Sequence, residues 1–598
     1  LKKAEKEKIV INFLRSVDLL KGLPLPSLKF LMRNLEERMI RNHDFLFSKG
    51  EPSEHIYIIR YGEIVLEGAI GQGNIYAGPG DVISENSLLS GTPHSTSAYA
   101  VIDTLVFAID GKAFMQLALR EKVLSQNIMK LLSSRMREHI DGKPLKKTEP
   151  RRLFCHIPLD DIEDFKGRLD SVVERTSELQ TSSSVLIKIS QFKGFNHEKF
   201  AETLSGLRRK SPLVHLYFDT PDMATDLPSI VLQSDLIVFW ESDTERNIKQ
   251  KEEILSFWKQ RIRNFNGRTI LFQSESKRHI KDNWKEDIHS DPEFHKIFHR
   301  TDALSRFLVS KTRGIALGGG GARALAHVGL FQVLEREGLR FDYVSGASFG
   351  AVIGALYARG DSAETMEQLI RKFFGGLESS FDPTLPLVSF FKGKKMRRML
   401  KDAFGDLRIE ELPIPFVTSA VDLQSGKEYV FDRGPIAEAL IATMSLPGAF
   451  PPYFLGEKVL VDGGMVNNVP EDLIRARGAD VVIGINVSPL QEAVSLKIFE
   501  NRAASGKSFF RYIWDTIKYP PILKIMGRTI TLEGREITRL KKLRMDLFVN
   551  FHLEEFQLFD FVRYKEIIQS GVEQTEANLD EIYKLLLPNN TGTHPKSN

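Results

Sequence analysis

The chain has a single cysteine, Cys155, in 598 residues. An internal disulfide and a cysteine-based metal cluster are both excluded, which fits a reducing cytoplasm. No window reaches the roughly eighteen uncharged apolar residues needed to span a bilayer, so membrane contact is expected to be peripheral. Net charge is also scarce: 82 Lys and Arg against 78 Asp and Glu leave +4, too little to imply nucleic acid. The charged opening from Lys2 to Lys8 is unlike a signal peptide, and because the chain starts on Leu1 rather than Met an upstream segment is expected. What remains, 42% apolar and 27% charged residues, is an ordinary soluble composition over a length that suggests about three or four domains.

The most informative stretch is Arg313 to Gly350. An apolar run, Ile315 to Leu317, breaks into Gly318, Gly319, Gly320 and Gly321. A helix from Ala322 to Arg336 is predicted by the apolar positions Leu325, Val328, Phe331 and Leu334, with Gly338 to end it. A second strand, Phe341 to Val344, then runs into Gly346-Ala347-Ser348-Phe349-Gly350. This is G-x-S-x-G, in which a sharp strand-to-helix elbow lifts the serine hydroxyl above the sheet while the flanking glycines let strand and helix pass closely. The buried strand before it and the apolar helix from Ala351 to Tyr357 after it make Ser348 a candidate nucleophile.

Acyl chemistry also needs donors for the oxyanion of the tetrahedral intermediate, and backbone N–H groups of a glycine loop at a helix N-terminus supply them. A phosphate loop is the competing reading. It would need Gly-Lys-Ser/Thr, which is absent, and a dinucleotide turn has no use for the serine elbow. Further on, the apolar Lys458 to Val461 ends in Asp462-Gly463-Gly464, an acid placed where a base for the serine could sit; read alone, it is a turn aspartate.

The three pieces, in this order, resemble the patatin-like phospholipases. They are Gly319-Gly320-Gly321-Ala322-Arg323, Gly346 to Gly350, and Asp462-Gly463-Gly464. The resemblance implies a Ser-Asp dyad hydrolase without a catalytic histidine: Ser348 as nucleophile, Asp462 as base, and Gly319, Gly320, Gly321 and Arg323 at the oxyanion hole. It implies a phospholipid or lysophospholipid substrate and no cofactor or metal. The family usually has Gly after the basic residue of the loop. Here it is Ala324, a small, helix-favouring substitute. An ordinary Ser-Asp-His triad is the rival, with His552 as its histidine. A non-catalytic ligand-sensing regulator is the alternative from another class. His327 is expected to be structural, hydrogen-bonded to backbone.

The expected architecture is an α/β patatin-like hydrolase domain over 311–585, preceded by a β-barrel domain over 1–145 and an α/β middle region over 150–308. A polar tail, 586–598, is expected to be disordered. In the first region short strands with turns are predicted at Phe45–Ser48, His55–Arg60, Glu63–Glu67, Asn74–Ala77, Tyr99–Ile102 and Leu105–Ala108. With Gly62-Glu63-Ile64 and Pro79-Gly80-Asp81 among its motifs, the region resembles a cyclic-nucleotide-binding domain. Against that family's phosphate-binding cassette Glu85 takes the Glu position, His94 the Arg position and Ser84 a Gly position, so weak cyclic nucleotide binding is expected. The basic 142–152 reads as a linker. Strands at Val185–Ile189, Val214–Phe218, Leu236–Trp240 and Thr269–Phe272 with intervening helices predict a parallel α/β layer. The same order of regions occurs in the neuropathy-target-esterase branch of the patatin-like family. Finally, Phe390 to Leu400, and more weakly Arg539 to Arg544, mix basic and apolar residues. Such a segment either attracts anionic lipid headgroups or is a solvated helix face.

Overall fold

In the computed structural model the described residues are 2–67, 75–140, 152–159, 164–180, 183–219, 221, 227–241, 248–262, 268–273, 296–298, 300–374, 382–384, 389–489 and 541–587. The chain divides into two units, Leu1–Ser276 with Pro292–Thr301, and Lys277–Asp291 with Asp302–Asn598. The 142–151 linker and the tail beyond 587 lie outside the described residues, as do Arg539 and Leu540 at the start of the weaker basic segment.

The first unit opens with helices Lys2–Ser16 and Leu25–Arg33 and an antiparallel sheet of β1 (Leu35–Ile40), β2 (Phe45–Phe47), β3 (His55–Leu66), β4 (Ile75–Ala77), β5 (Val82–Ile83) and β6 (Ala98–Asp110). The sequence pattern suggested one short strand on each side of Gly62 and one on each side of Asp103. Instead β3 and β6 are continuous, at 12 and 13 residues, and pair along their length. Gly62 explains the difference. The register shifts around it, its φ is +97°, and a Cβ there would lie 2.3 Å from Thr104 Oγ1. The glycine therefore makes a bulge inside one ladder rather than a turn between two. A short helix, α1 (Glu85–Ser90), occupies the cassette, and helices Gly111–Arg120 and Lys122–Ile140 follow the sheet.

The α/β part of this unit is a parallel sheet in the order β12-β11-β10-β7-β9-β8. Its strands are β7 (Arg152–Pro158), β8 (Ser184–Lys188), β9 (Leu213–Tyr217), β10 (Leu236–Glu241), β11 (Thr269–Gln273) and β12 (Lys296–Phe298). Sequence reading missed the inner strand β7. It follows a basic stretch and is buried on both faces, so it shows no alternation to read. Helix α2 (His197–Lys210) packs on β3 of the barrel. There Arg208 and Glu63, both fully buried, pair at 3.0 Å. The Asp103 amide donates to Gln233 Oε1 (2.7 Å), and Asn42 Nδ2 to the Gln233 carbonyl (3.0 Å). Tyr61 and Ile102 of the barrel belong to the hydrophobic core of the α/β layer. The two parts share a core instead of standing apart as separate beads.

The second unit takes up Asp302–Leu308, which sequence reading grouped with the middle region. Arg306 in this segment grips Asp342 through Nη2–Oδ1 (2.6 Å) and Nε–Oδ2 (2.8 Å). Its sheet runs β17-β18-β15-β14-β13-β19-β20, with β16 on β15. The strands are β13 (Arg313–Leu317), β14 (Tyr343–Gly346), β15 (Phe416–Asp422), β16 (Glu428–Phe431), β17 (Tyr453–Leu455), β18 (Lys458–Asp462), β19 (Val481–Asn486) and β20 (Leu547–Asn550). β15 to β20 through β14, β13 and β19 are parallel, while β16, β17 and β18 add antiparallel pairings at one side. After the glycine loop the chain makes a 3-10 turn, Gly321–Leu325, before the α-helix α3 (Ala326–Arg336). The regular helix thus begins four residues later than its apolar periodicity suggested. Helix α4 (Ser348–Arg359) follows the elbow, and Phe331 of α3 stacks on Tyr357 of α4 with centroids 4.2 Å apart.

Candidate active site

Neighbouring parallel strands β13 and β14 deliver the glycine loop and the serine elbow to the same edge of the sheet. β18 lies antiparallel on β15 with Asp462 opposite Ala420, two residues past the Thr418 that pairs with Gly346. The register alone therefore carries Asp462 to that edge.

Ser348 has φ +50°, in the left-handed region that a side chain enters only under constraint. The flanking glycines supply the constraint. A Cβ on Gly346 would lie 2.6 Å from the Ala351 Cα, and one on Gly350 2.5 Å from the Gly318 carbonyl oxygen. Ser348 is half-buried, whereas Asp462 is 3% exposed. The Asp462 carboxylate accepts hydrogen bonds from the Ser348 hydroxyl and from the Gly464 amide (2.8 Å). Burial outweighs both bonds and pushes its pKa up to about 6. Gly463 is required by packing, since a Cβ there would lie 2.1 Å from the Ser419 carbonyl oxygen.

The glycine loop lies against the nucleophile: a Cβ on Gly319 would be 3.1 Å from Ser348 Cβ. Its amides are not equivalent. That of Gly318 donates to Ile485 O (2.8 Å) and that of Gly319 to Asn468 O (3.2 Å), while those of Ala322 and Arg323 donate to Leu558 O (2.8 Å) and Gly320 O (3.3 Å). Four of the amides are thus committed within the protein, Gly319 and Arg323 among them. Of the four residues expected at the oxyanion hole, Gly319 and Arg323 have amides bonded to backbone carbonyls, whereas no such bond engages those of Gly320 and Gly321 among the described residues. Arg323 holds the loop from outside, its Nε donating to Phe556 O at 2.7 Å. The Gly319 carbonyl is held by Ser488 Oγ (2.7 Å) and Asn468 Nδ2 (3.3 Å). In a trans peptide the N–H opposes the C=O, so pinning this oxygen aims the Gly320 amide the other way.

Ala324 is fully buried in the 3-10 turn without interrupting it. His327 is structural, as expected: fully buried, with Nε2 on the Gly318 carbonyl (2.9 Å) and its pKa lowered by burial to about 4, so it is neutral. His552 follows β20 rather than lying within it. Its side chain is 75% exposed with Nδ1 3.6 Å from Glu554, while its backbone binds Gln574. Nothing aims it at Asp462, and the triad reading is not supported.

Sequence reasoning missed four supports. Thr443 Oγ1 accepts the Ser348 amide (3.2 Å), Asn468 and Ser488 pin the loop, and 556–558 clamps it. Only Asn468, six residues after Asp462, had a nearby motif that could have pointed to it.

Residues 315–474 match the patatin-like phospholipase family and residues 37–121 the cyclic nucleotide-binding domain. The chain carries a patatin-like phospholipase domain. By that domain it is a carboxylic ester hydrolase. An uncharacterised NTE family protein of Mycobacterium tuberculosis is 26% identical over 498 residues, 79% of each chain. The lysophospholipase NTE1 of Phaeosphaeria nodorum is 24% identical over 644 aligned positions, 92% of this chain but 42% of its own length. Among solved structures, the sensor domain of the transcriptional regulator DNR from Pseudomonas aeruginosa covers 23% of this chain and 95% of its own at 20% identity, TM-score 0.22. Among the described residues, no helix is long and apolar enough to cross a membrane.

Proposed function

We propose that the patatin-like domain hydrolyses the acyl ester of a phospholipid or lysophospholipid through a Ser348–Asp462 dyad. The observation that carries this reading is the hydrogen bond between the half-buried Ser348 hydroxyl at the elbow and the buried Asp462 carboxylate, whose pKa is raised to about 6. A carboxylate near its ordinary pKa is a poor base for an alcohol; one raised toward neutrality takes a proton more readily while staying mostly ionised at pH 7.

Ser348 Oγ attacks the acyl carbonyl as Asp462 takes its proton, and the oxyanion forms facing the Gly320 and Gly321 amides. Asp462 returns the proton to the departing alcohol oxygen as the C–O bond breaks, leaving an acyl-serine. Water repeats the sequence in reverse, with Asp462 taking its proton and passing it to Ser348 Oγ as the fatty acid leaves. The substrate class rests on the family match and on the NTE1 relative's name as a lysophospholipase.

A fluorophosphonate probe tests the nucleophile. Wild-type protein should be labelled and Ser348→Ala should not, with lysophospholipid hydrolysis lost in parallel. Equal labelling of both proteins would refute the assignment.

A further inference from the structure

Helix α5 (Lys394–Phe404) has an arrangement that its own stability does not explain. Met396, Leu400 and Phe404 face inward, while Lys394, Arg398 and Lys401, at i, i+4 and i+7, form an exposed stripe with Lys395 beside it. Residues 392–401 hold six cations, Lys392, Lys394, Lys395, Arg397, Arg398 and Lys401, and no acid, against a net +4 for the whole chain. Four of the six fall within the first five residues of the helix, where the positive end of the helix dipole repels them. Among the described residues, the acids of the same segment answer little of this for Lys394, Arg398 and Lys401. Asp382 is occupied in capping the helix, accepting the Gly393 and Lys394 amides (2.9 and 2.8 Å), and Asp402 and Asp406 lie exposed toward the other end. A cluster placed against local electrostatic preference points to a role outside the fold.

Its position says which role. Immediately before α5, the Phe390 and Phe391 amides donate to Gly448 O (2.8 Å) and Ala449 O (3.0 Å). That loop, 445–452, accepts the Asp462 amide on Ser445 O at 3.0 Å. Phe391 does not project outward as a membrane wedge; its ring packs against Phe450 and Phe559. The basic stripe is thus one loop from the dyad, with the Phe391 ring packed inward rather than offered for insertion.

We propose that the exposed face of α5 docks the patatin-like domain on an anionic lipid surface, setting the Ser348 site beside the bilayer that holds its substrate. This rests on the proposed hydrolase reading for its choice of a lipid partner. Anionic headgroups attract clustered basic side chains within about a Debye length, so the binding is salt-sensitive.

The test is co-sedimentation with vesicles of phosphatidylcholine alone or mixed with phosphatidylserine. Wild-type protein should bind the mixed vesicles, lose that binding as salt rises, and ignore phosphatidylcholine alone. Lys394→Gln, Arg398→Gln and Lys401→Gln combined should weaken binding on the order of a hundredfold. Gln keeps helix propensity, so the thermal midpoint and turnover of a dispersed short-chain ester should match wild type. Ser348→Ala separates the two readings, for it should still bind vesicles while losing turnover. The proposal is overturned if wild type binds both vesicles equally, or if the triple variant binds mixed vesicles like wild type. It is equally overturned if the substitutions reduce binding to duplex DNA but not to vesicles.

Discussion

At the scale of single residues, the proposed mechanism depends on one carboxylate and on the peptide groups aimed beside it. Asp462 is raised to about 6 because desolvation outweighs its hydrogen bonds, and in the proposed mechanism it acts as a base only when ionised. With a free-enzyme pKa there, kcat/KM should be flat above pH 7 and fall about tenfold for each unit well below pH 6. A pH profile on a non-ionising ester reads this directly; an apparent pKa near 4 would mean that Asp462 is more hydrated than its burial suggests. Ser488 offers a test of the loop. Its hydroxyl is the shorter of the two bonds on the Gly319 carbonyl, so Ser488→Ala frees that peptide to rotate and blurs the aim of the Gly320 amide. Since removing an oxyanion donor outright costs roughly a hundredfold or more in kcat, loosening one should cost about tenfold, with KM little changed and Ser488→Thr recovering most of the loss. A change confined to KM would place Ser488 in substrate binding instead.

At the scale of elements, what could be read from the sequence was whatever chemistry is local. G-x-S-x-G and D-G-G announce themselves because each glycine answers a clash within a few residues or with an adjoining strand. The supports of the site could not be read this way. Ser488 reaches Gly319 across 169 positions and Arg323 reaches Phe556 across 233, so no local pattern marks them. Strand β7 was hidden by its complete burial, and the long β3 and β6 by a bulge glycine that imitates a turn. A buried chain of polar side chains in the α/β layer was equally invisible. Trp240 Nε1 donates to His156 Nδ1 (3.1 Å), His156 Nε2 faces His215 Nδ1 (3.0 Å), and His215 Nε2 faces Thr176 Oγ1 (3.4 Å). The Trp donor fixes His156 with its proton on Nε2, and both rings are neutral: burial lowers His215 to about 3 and His156 well below its usual value. Their folded pKa values lie below the unfolded one, so the unfolded chain binds more protons as pH falls. The stability they confer is complete above about pH 6.5 and is lost progressively below it, by roughly 1 kcal/mol per pH unit for each ring. The urea midpoint followed by tryptophan fluorescence should therefore drop between pH 7.5 and pH 5.5. A midpoint that does not move would mean that the rings already carry protons in the fold.

At the scale of the whole molecule, a cyclic-nucleotide-type barrel on the same chain as a hydrolase invites the idea that a nucleotide switches the enzyme. The barrel's own chemistry argues against it. His94, at the position where that family offers an arginine to the cyclic phosphate, is 4% exposed and stacks on Phe47 with centroids 3.6 Å apart and planes 9° from parallel. Burial lowers its pKa despite the nearby Glu51, so at neutral pH it brings no charge to a phosphate. Ser84 sits at φ +76° where the cassette favours glycine, its hydroxyl 2.8 Å from that of Ser53. Replacing an arginine's fixed, charged fork by a neutral ring that is already stacked costs a charge-assisted bidentate contact, about 1.5–3 kcal/mol, or roughly tenfold to a hundredfold in affinity. The barrel is also joined to its α/β layer by a shared core and the buried Arg208–Glu63 pair, and a ligand shifts such an arrangement only by binding two states differently. Cyclic AMP and cyclic GMP should therefore give no micromolar binding by calorimetry at pH 8. Any weak binding should be stronger at pH 6, where His94 protonates more readily, and saturating nucleotide should leave ester turnover unchanged. Micromolar affinity at pH 8 would mean that the His94–Phe47 stack opens to admit the phosphate, and would restore the barrel as a sensor.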